Sequence, residues 1–252
     1  MQIVRVLRYE IAKFVATPRS LFESVFYPLL YMLICAPAIG AQIGDFSVDG
    51  QIIPYMYFAL PGIMIFNAFS SAQYVGIDMY IANICGELEM ILAFPMKRSS
   101  IIVGKCCFSM IRSVVQALVF CALCVVFYPE ANVYLIMFPV YLGMTALFSV
   151  LASALFLVIA CVIKSQNAFN VMVNMITMPF MFTSNALYDL KNVPFIIRTI
   201  SKINPLTYYI TAMRRAVFSN AFDLLLVVSV ISVLLIPLAV FIATDRLKGI
   251  LG

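Results

Sequence analysis

Ionisable side chains concentrate in one stretch, Asp78 to Lys105 (DMYIANICGELEMILAFPMKRSSIIVGK), which holds Asp78, Glu87, Glu89, Lys97, Arg98 and Lys105. The chain has no histidine. That excludes HExxH metalloprotease chemistry and the Ser-His-Asp nucleophile, and no apolar run carries the paired carboxylates of a membrane aspartyl protease. The Gly-Lys pair at Gly104-Lys105 and the reversed pair at Lys248-Gly249 lack the preceding GxxxxGK[ST] loop, so the chain has no phosphate-binding loop of its own. Cys121 and Cys124 have redox spacing, but they fall in an apolar run where thiolates are disfavoured, and they read as filling. The other cysteines, Cys35, Cys85, Cys106, Cys107 and Cys161, imply no disulfide framework. No catalytic residue, bound cofactor or metal is expected, and the remaining chemistry is electrostatic.

The elements that must hold those charges follow from composition. Of 252 residues 64% are hydrophobic and 11% charged, and the mean hydropathy is +1.07, which excludes an ordinary soluble domain. The net charge of +5 is spread over loop ends with no aromatic-basic repeat, so no nucleic-acid partner is implied. Runs of about 20 apolar residues cross a bilayer core, and candidates lie at 21–41, 54–78, 103–128, 133–163, 168–187 and 222–243. Charges at the bilayer centre cost at least about 2.5 kcal/mol each, so the stretch at 79–100 lies outside the hydrocarbon. Lys97, Arg98 and Lys105 put it in the cytosol. Six spans place both termini on one side, where Arg5, Arg8, Lys13 and Arg19 match Arg246 and Lys248.

Residues 1–18 form an amphipathic interfacial helix. Ile3, Val4, Leu7, Ile11, Phe14 and Val15 share a face, Arg5, Glu10 and Lys13 point away, and Pro18 ends the helix. Ala36-Pro37-Ala38 mimics a signal cleavage site, but the basic region before it is too long and the apolar run resembles a full span. Within the cytosolic stretch Ile84, Leu88, Ile91 and Leu92 recur at helical spacing between Ile81 and Phe94, with Glu87 and Glu89 to one side and Pro95 at the end.

Polar stripes run along three spans: Ser20, Ser24, Tyr27 and Tyr31; Asn67, Ser71, Tyr74 and Asp78; Asn167, Asn170, Asn174 and Thr177. They serve either helix-to-helix hydrogen bonds or a lined pathway. The third and fourth spans read as scaffold, with Gly143, Ala146, Ser149 and Ser153 spaced for close helix contact. Arg112 reads as a side chain reaching for headgroups.

The segment 188–221 should lie outside, yet it carries Lys191, Arg198, Lys202, Arg214 and Arg215, against the positive-inside expectation. Val193, Ile196, Ile197 and Ile200 share a face of one short helix. Asn204 can cap a second, with Pro205 at its first position and Leu206, Ile210, Met213 and Val217 along one side. Two half-inserted helices fit better than a seventh span.

The pattern Gly86, Leu88, Glu89, Leu92 and Pro95 with Gly104-Lys105, together with NPLTYYITAMR after SNALYDL, resembles the ABC type-2 exporter permeases. Asn204, Pro205, Leu206, Thr207, Tyr208 and Arg214 match that family's outer signature, and the resemblance covers the whole order of spans. The sequence departs at Glu87, where Thr or Ser is usual. The resemblance implies that the helix around Gly86, Glu87, Leu88, Glu89 and Pro95 docks on a separate nucleotide-binding ATPase subunit, which holds the ATP and Mg. It implies an outer re-entrant pair marked by Asn204, Pro205, Tyr208 and Arg214, and a dimer of permeases. It also implies a pathway lined by Tyr27, Tyr31, Asn67, Ser71, Tyr74, Asn170 and Asn174. Arg214 and Arg215 then face either lipid phosphates or solvent.

The expected architecture is a single all-α polytopic membrane domain over 1–252: six transmembrane helices, an interfacial helix, a cytosolic coupling helix and the outer pair. The expected function is the permease subunit of an exporter in the plasma membrane, moving a drug, lipid or lipid-linked glycan. An ion-coupled secondary transporter, with Asp78 as its single candidate group, and a non-transporting scaffold are the alternatives.

Overall fold

The computed structural model describes residues 2–18, 22, 26, 29–30, 33–34, 36–43, 46–48, 51–53, 55–93, 96–127, 137–163, 165–186 and 193–249. Its helices are α1 (Gln2–Ala16), α2 (Ala36–Ile43), α3 (Tyr55–Ile84), α4 (Glu87–Ala93), α5 (Arg98–Phe127), α6 (Phe138–Val162), α7 (Gln166–Thr183), α8 (Phe195–Ser201), α9 (Pro205–Phe218) and α10 (Asp223–Gly249). One short hairpin departs from the all-α expectation: β1 (Phe46–Val48) pairs antiparallel with β2 (Gln51–Ile53).

Among the described residues three helices, α5, α6 and α10 over Asp223–Leu247, are long and apolar enough to cross a membrane by length and composition. Helix α3 has 30 residues, about 45 Å at 1.5 Å per residue, but Asn67, Ser71, Gln73 and Asp78 dilute its apolar run. Helix α7 is shorter, with 18 residues. Part of the expected span at 21–41, including Tyr27 and Tyr31, lies outside the described residues, as does Pro95.

Helix α6 sits among α3, α5 and α10. Small and hydroxylic side chains let it approach them: Ser149 shares a hydrogen bond of 2.7 Å with Ser109 of α5, and Ala152, Ser153 and Ala160 are buried. The expected close contact at Gly143 is not there, since a Cβ at that position would meet nothing within 4 Å. The tight approach falls on α3 instead, where a Cβ at Gly76 would lie 2.7 Å from Phe156 Cβ. Spacing alone identifies small residues but not which of them face a neighbour. Helix α10 keeps Leu226, Leu234 and Phe241 exposed, as suits a helix bordered by lipid.

Candidate functional site

Within the last two turns of α3, Asp78 sits between two lysines. Its Oδ1 lies 2.8 Å from Lys13 Nζ and its Oδ2 2.6 Å from Lys105 Nζ. Lys105 also pairs with Glu10 Oε1 at 2.7 Å, and Lys13 reaches both oxygens of Glu87 at 3.1 Å. Tyr9 donates to Glu87 Oε1 at 2.6 Å. The order Glu10, Lys105, Asp78, Lys13, Glu87 alternates in sign and joins four helices: α1, α3, α4 and α5.

The placement of Glu10 and Lys13 corrects the reading of the first helix. Glu10 and Val6 are buried against α5, Lys13 is half-buried, and Val4 and Val15 are exposed. An amphipathic pattern shows that a helix has two faces; it does not say which meets protein when lipid can cover the apolar one. The buried charges are tolerated because each has opposite charges in contact. Burial raises the Glu10 carboxyl above its usual range, with Lys105 opposing. Desolvation lowers the Lys13 ammonium, but Asp78 and Glu87 more than offset it and hold the group above its ordinary value.

Gly104 makes this contact possible. A Cβ there would lie 2.7 Å from Val6 Cγ1, so the missing side chain seats α1 directly on α5. Lys105, the next residue, then reaches Glu10.

The helix of the charged stretch is shorter than its periodicity suggests. Helix α3 continues to Ile84, and the chain turns at Gly86, whose φ of 73° lies in the left-handed region that favours glycine. Helix α4 then runs over seven residues, Glu87–Ala93. Leu88 is buried, while Glu89 and Met90 are exposed. Glu87, the departure from the family pattern, is held by α1 through Lys13 and Tyr9.

Arg112 does not reach headgroups. It is buried, with its guanidinium 4.0 Å from the Tyr74 ring centroid and 5.4 Å from that of Phe14. Such contacts are worth about 2 kcal/mol when desolvated. Ser71 donates to Gln116 Oε1 at 2.6 Å, and Asn67 is buried. All four members of the α3 stripe, Asn67, Ser71, Tyr74 and Asp78, thus face other helices of this chain. Asn170 and Asn174 on α7 face outward and are exposed.

The NPLTY motif is a built structure. Asn204 caps α9, accepting from Leu206 N at 3.0 Å and donating to Phe180 O at 2.7 Å and to Thr183 Oγ1 at 3.1 Å. Pro205 opens the helix as expected, and Tyr208 donates to Lys202 O at 2.5 Å. Arg214 meets neither solvent nor phosphate. It is buried, donates to the carbonyls of Phe58, Asn185 and Ala186, and lies 3.6 Å over the Phe58 ring centroid. Arg215 is exposed and pairs with Asp223 at 3.4 Å.

Sequence reasoning found Asp78, Lys105 and Arg214 but not their partners. The available signal was Gly104 directly before a lysine, with Glu10 as the single carboxylate of a basic, amphipathic N-terminal helix.

Residues 1–218 match the family model described as ABC-2 type transporter. A transport permease designated ycf38 from Porphyra purpurea is 24% identical over 212 residues, covering 81% of this chain and 69% of its own. The ycf38 permease of Pyropia yezoensis is 25% identical over 206 residues, covering 78% and 67%. Membership of this family makes the chain a multi-pass membrane transport subunit rather than a catalytic one, and implies association with an ABC ATPase subunit. With its apolar helices, its turn at Gly86 and its capped NPLTY helix, the chain belongs to the ABC-2 type transporter permeases.

Proposed function

We propose that the chain forms half of the pathway of an ATP-driven exporter, with six membrane spans and both termini cytosolic, in the plasma membrane. A second permease copy, identical or closely related, supplies the other half. The observation that carries this reading is the two-sided placement of α4. Leu88 ties one side to the helix bundle and Glu87 ties it to α1, while Glu89 and Met90 leave the other side bare. A separate ATPase subunit, holding ATP and Mg, docks on that side over Gly86–Pro95 and moves α4. Coupling requires contacts that differ between two states, and the ion-pair chain from Glu87 to Glu10 spreads the displacement over α1, α3 and α5.

The cargo is amphiphilic: a drug, lipid or lipid-linked glycan. Tyr27, Tyr31, Asn170 and Asn174 supply aromatic and hydrogen-bonding groups without formal charge, which suits such a molecule better than a free ion; Asn67, Ser71 and Tyr74, turned into the bundle here, join that lining only in a second conformation of the transport cycle. Exposed Asn170 and Asn174 support a lined or partnered face, because bare amides are disfavoured against lipid. The outer helices α8 and α9 rest at the lipid surface, where Phe195 and Ile196 are exposed beside Arg198.

The test is Glu89→Arg in the reconstituted permease-ATPase complex. Assembly should weaken, or substrate should no longer stimulate ATP hydrolysis. Full stimulation in that variant overturns the docking assignment, and gradient-driven flux without ATP overturns the ATP-driven reading.

A further inference from the structure

Between α3, α6, α7 and the start of α9 lies a cavity of about 350 Å³. Phe69, Phe148, Ala152, Phe156, Ile176 and Phe180 form its walls, and every side chain that lines it is apolar. Phe69 is the hub, with ring centroids 5.4 Å from Phe156, 6.1 Å from Phe148 and 6.5 Å from Phe180. Leu155 also lines the cavity and is 53% exposed, so the space opens sideways between α6 and α7.

Its depth follows from the helices. Phe69 is near the midpoint of Tyr55–Ile84, Ala152 near that of Phe138–Val162 and Ile176 near that of Gln166–Thr183. A cavity between the midpoints of these helices lies at the level of the hydrocarbon. An apolar cavity excludes water, and unfilled walls forfeit dispersion contacts. The volume is within the range of small-ligand sites, about 300–1,000 Å³.

A second copy of the chain fits the space poorly. Along α7 the cavity takes Ile176 and Phe180, whereas the exposed Asn170 and Asn174 stand roughly a third of a turn away at about 100° per residue. A partner or cargo that covers the asparagines therefore approaches another face. We infer that the cavity is a binding site for one alkyl chain of a membrane phospholipid, which enters past Leu155 and wedges α7 from α6. The inference needs only that these helices lie in a membrane, and it holds whatever the cargo is.

The test uses the full chain in nanodiscs of phosphatidylcholine carrying a mid-chain diazirine, with photolabelled residues mapped by mass spectrometry. Labels should appear on α6 and α7 at the cavity wall and should persist through a chase with unlabelled vesicles that removes labelling of Leu234 and Phe241 on α10. Ala152→Trp fills the space from α6 and Ile176→Trp from α7. Either should abolish the persistent labels and leave those on α10 unchanged, whereas Phe180→Ala should keep them. Wall labels that exchange as fast as those on α10, or that survive both tryptophans, overturn the site. So does a wall without label together with a Leu155→Cys crosslink between two copies, which would assign the space to a partner chain.

Discussion

Lys105 Nζ lies 2.7 Å from Glu10 Oε1 and 2.6 Å from Asp78 Oδ2, so one ammonium on α5 holds carboxylates of two other helices. Both ends of this contact are buried. Lys105→Met should therefore leave two buried carboxylates without that cation, a change that costs about 3–5 kcal/mol. Thermal unfolding in detergent should show a clear fall in midpoint. Adding Glu10→Gln should recover part of it, because one of the stranded charges is then gone. An unchanged midpoint in the single variant would mean the cluster contributes nothing to stability.

Gly104 sets the distance between α1 and α5. Gly104→Val places side-chain carbon where Val6 stands, and overpacking costs about 1–3 kcal/mol. Limited proteolysis should then release the N-terminal helix sooner than in the parent. Val6→Ala in the same chain should slow that cleavage again.

Arg214 spreads its guanidinium over three carbonyls, those of Phe58, Asn185 and Ala186. Arg214→Lys keeps the charge but cannot reproduce the planar fork. Loss of one or two charge-assisted hydrogen bonds is worth about 1.5–3 kcal/mol each. The variant should unfold at lower temperature, and Arg214→Ala lower still. If lysine matched arginine, charge and not fork geometry would be what the site requires.

Asn174 is exposed on α7 and carries the proposed interface. Asn174→Cys on a background without the native cysteines should form an oxidant-dependent dimer in membranes. Val173→Cys, on the buried side of the same helix, should not. Equal crosslinking at both positions, or none at either, would argue against a paired face at the asparagines.

Much of this molecule is readable along the chain. Composition alone demanded a membrane protein, because so few charges in so apolar a chain cannot be dispersed over a water-exposed surface. The cap at Asn204 and the helix start at Pro205 were legible because capping is local: the side chain bonds to a backbone N–H two residues on. Gly86 was visible as part of a motif, and its positive φ supplies a backbone reason for glycine there.

What the tertiary structure alone decided is the pairing of distant groups. Glu10 and Lys105 are 95 positions apart in a chain whose helical periods say which residues share a face but not what that face meets. In water an apolar stripe points inward, whereas in a bilayer lipid accepts it. Glu10 and Lys13 of α1 were thus free to turn towards the protein while Ile3, Val4 and Val15 stay exposed. Arg214 carries the same lesson: the sequence showed a basic residue in an outer segment, and only the approach of Phe58, Asn185 and Ala186 turned it into a buried clamp. Contacts of this kind depend on how helices cross, and crossing is set by which small residues let backbones approach. Here these are Gly76 and Gly104 rather than Gly143.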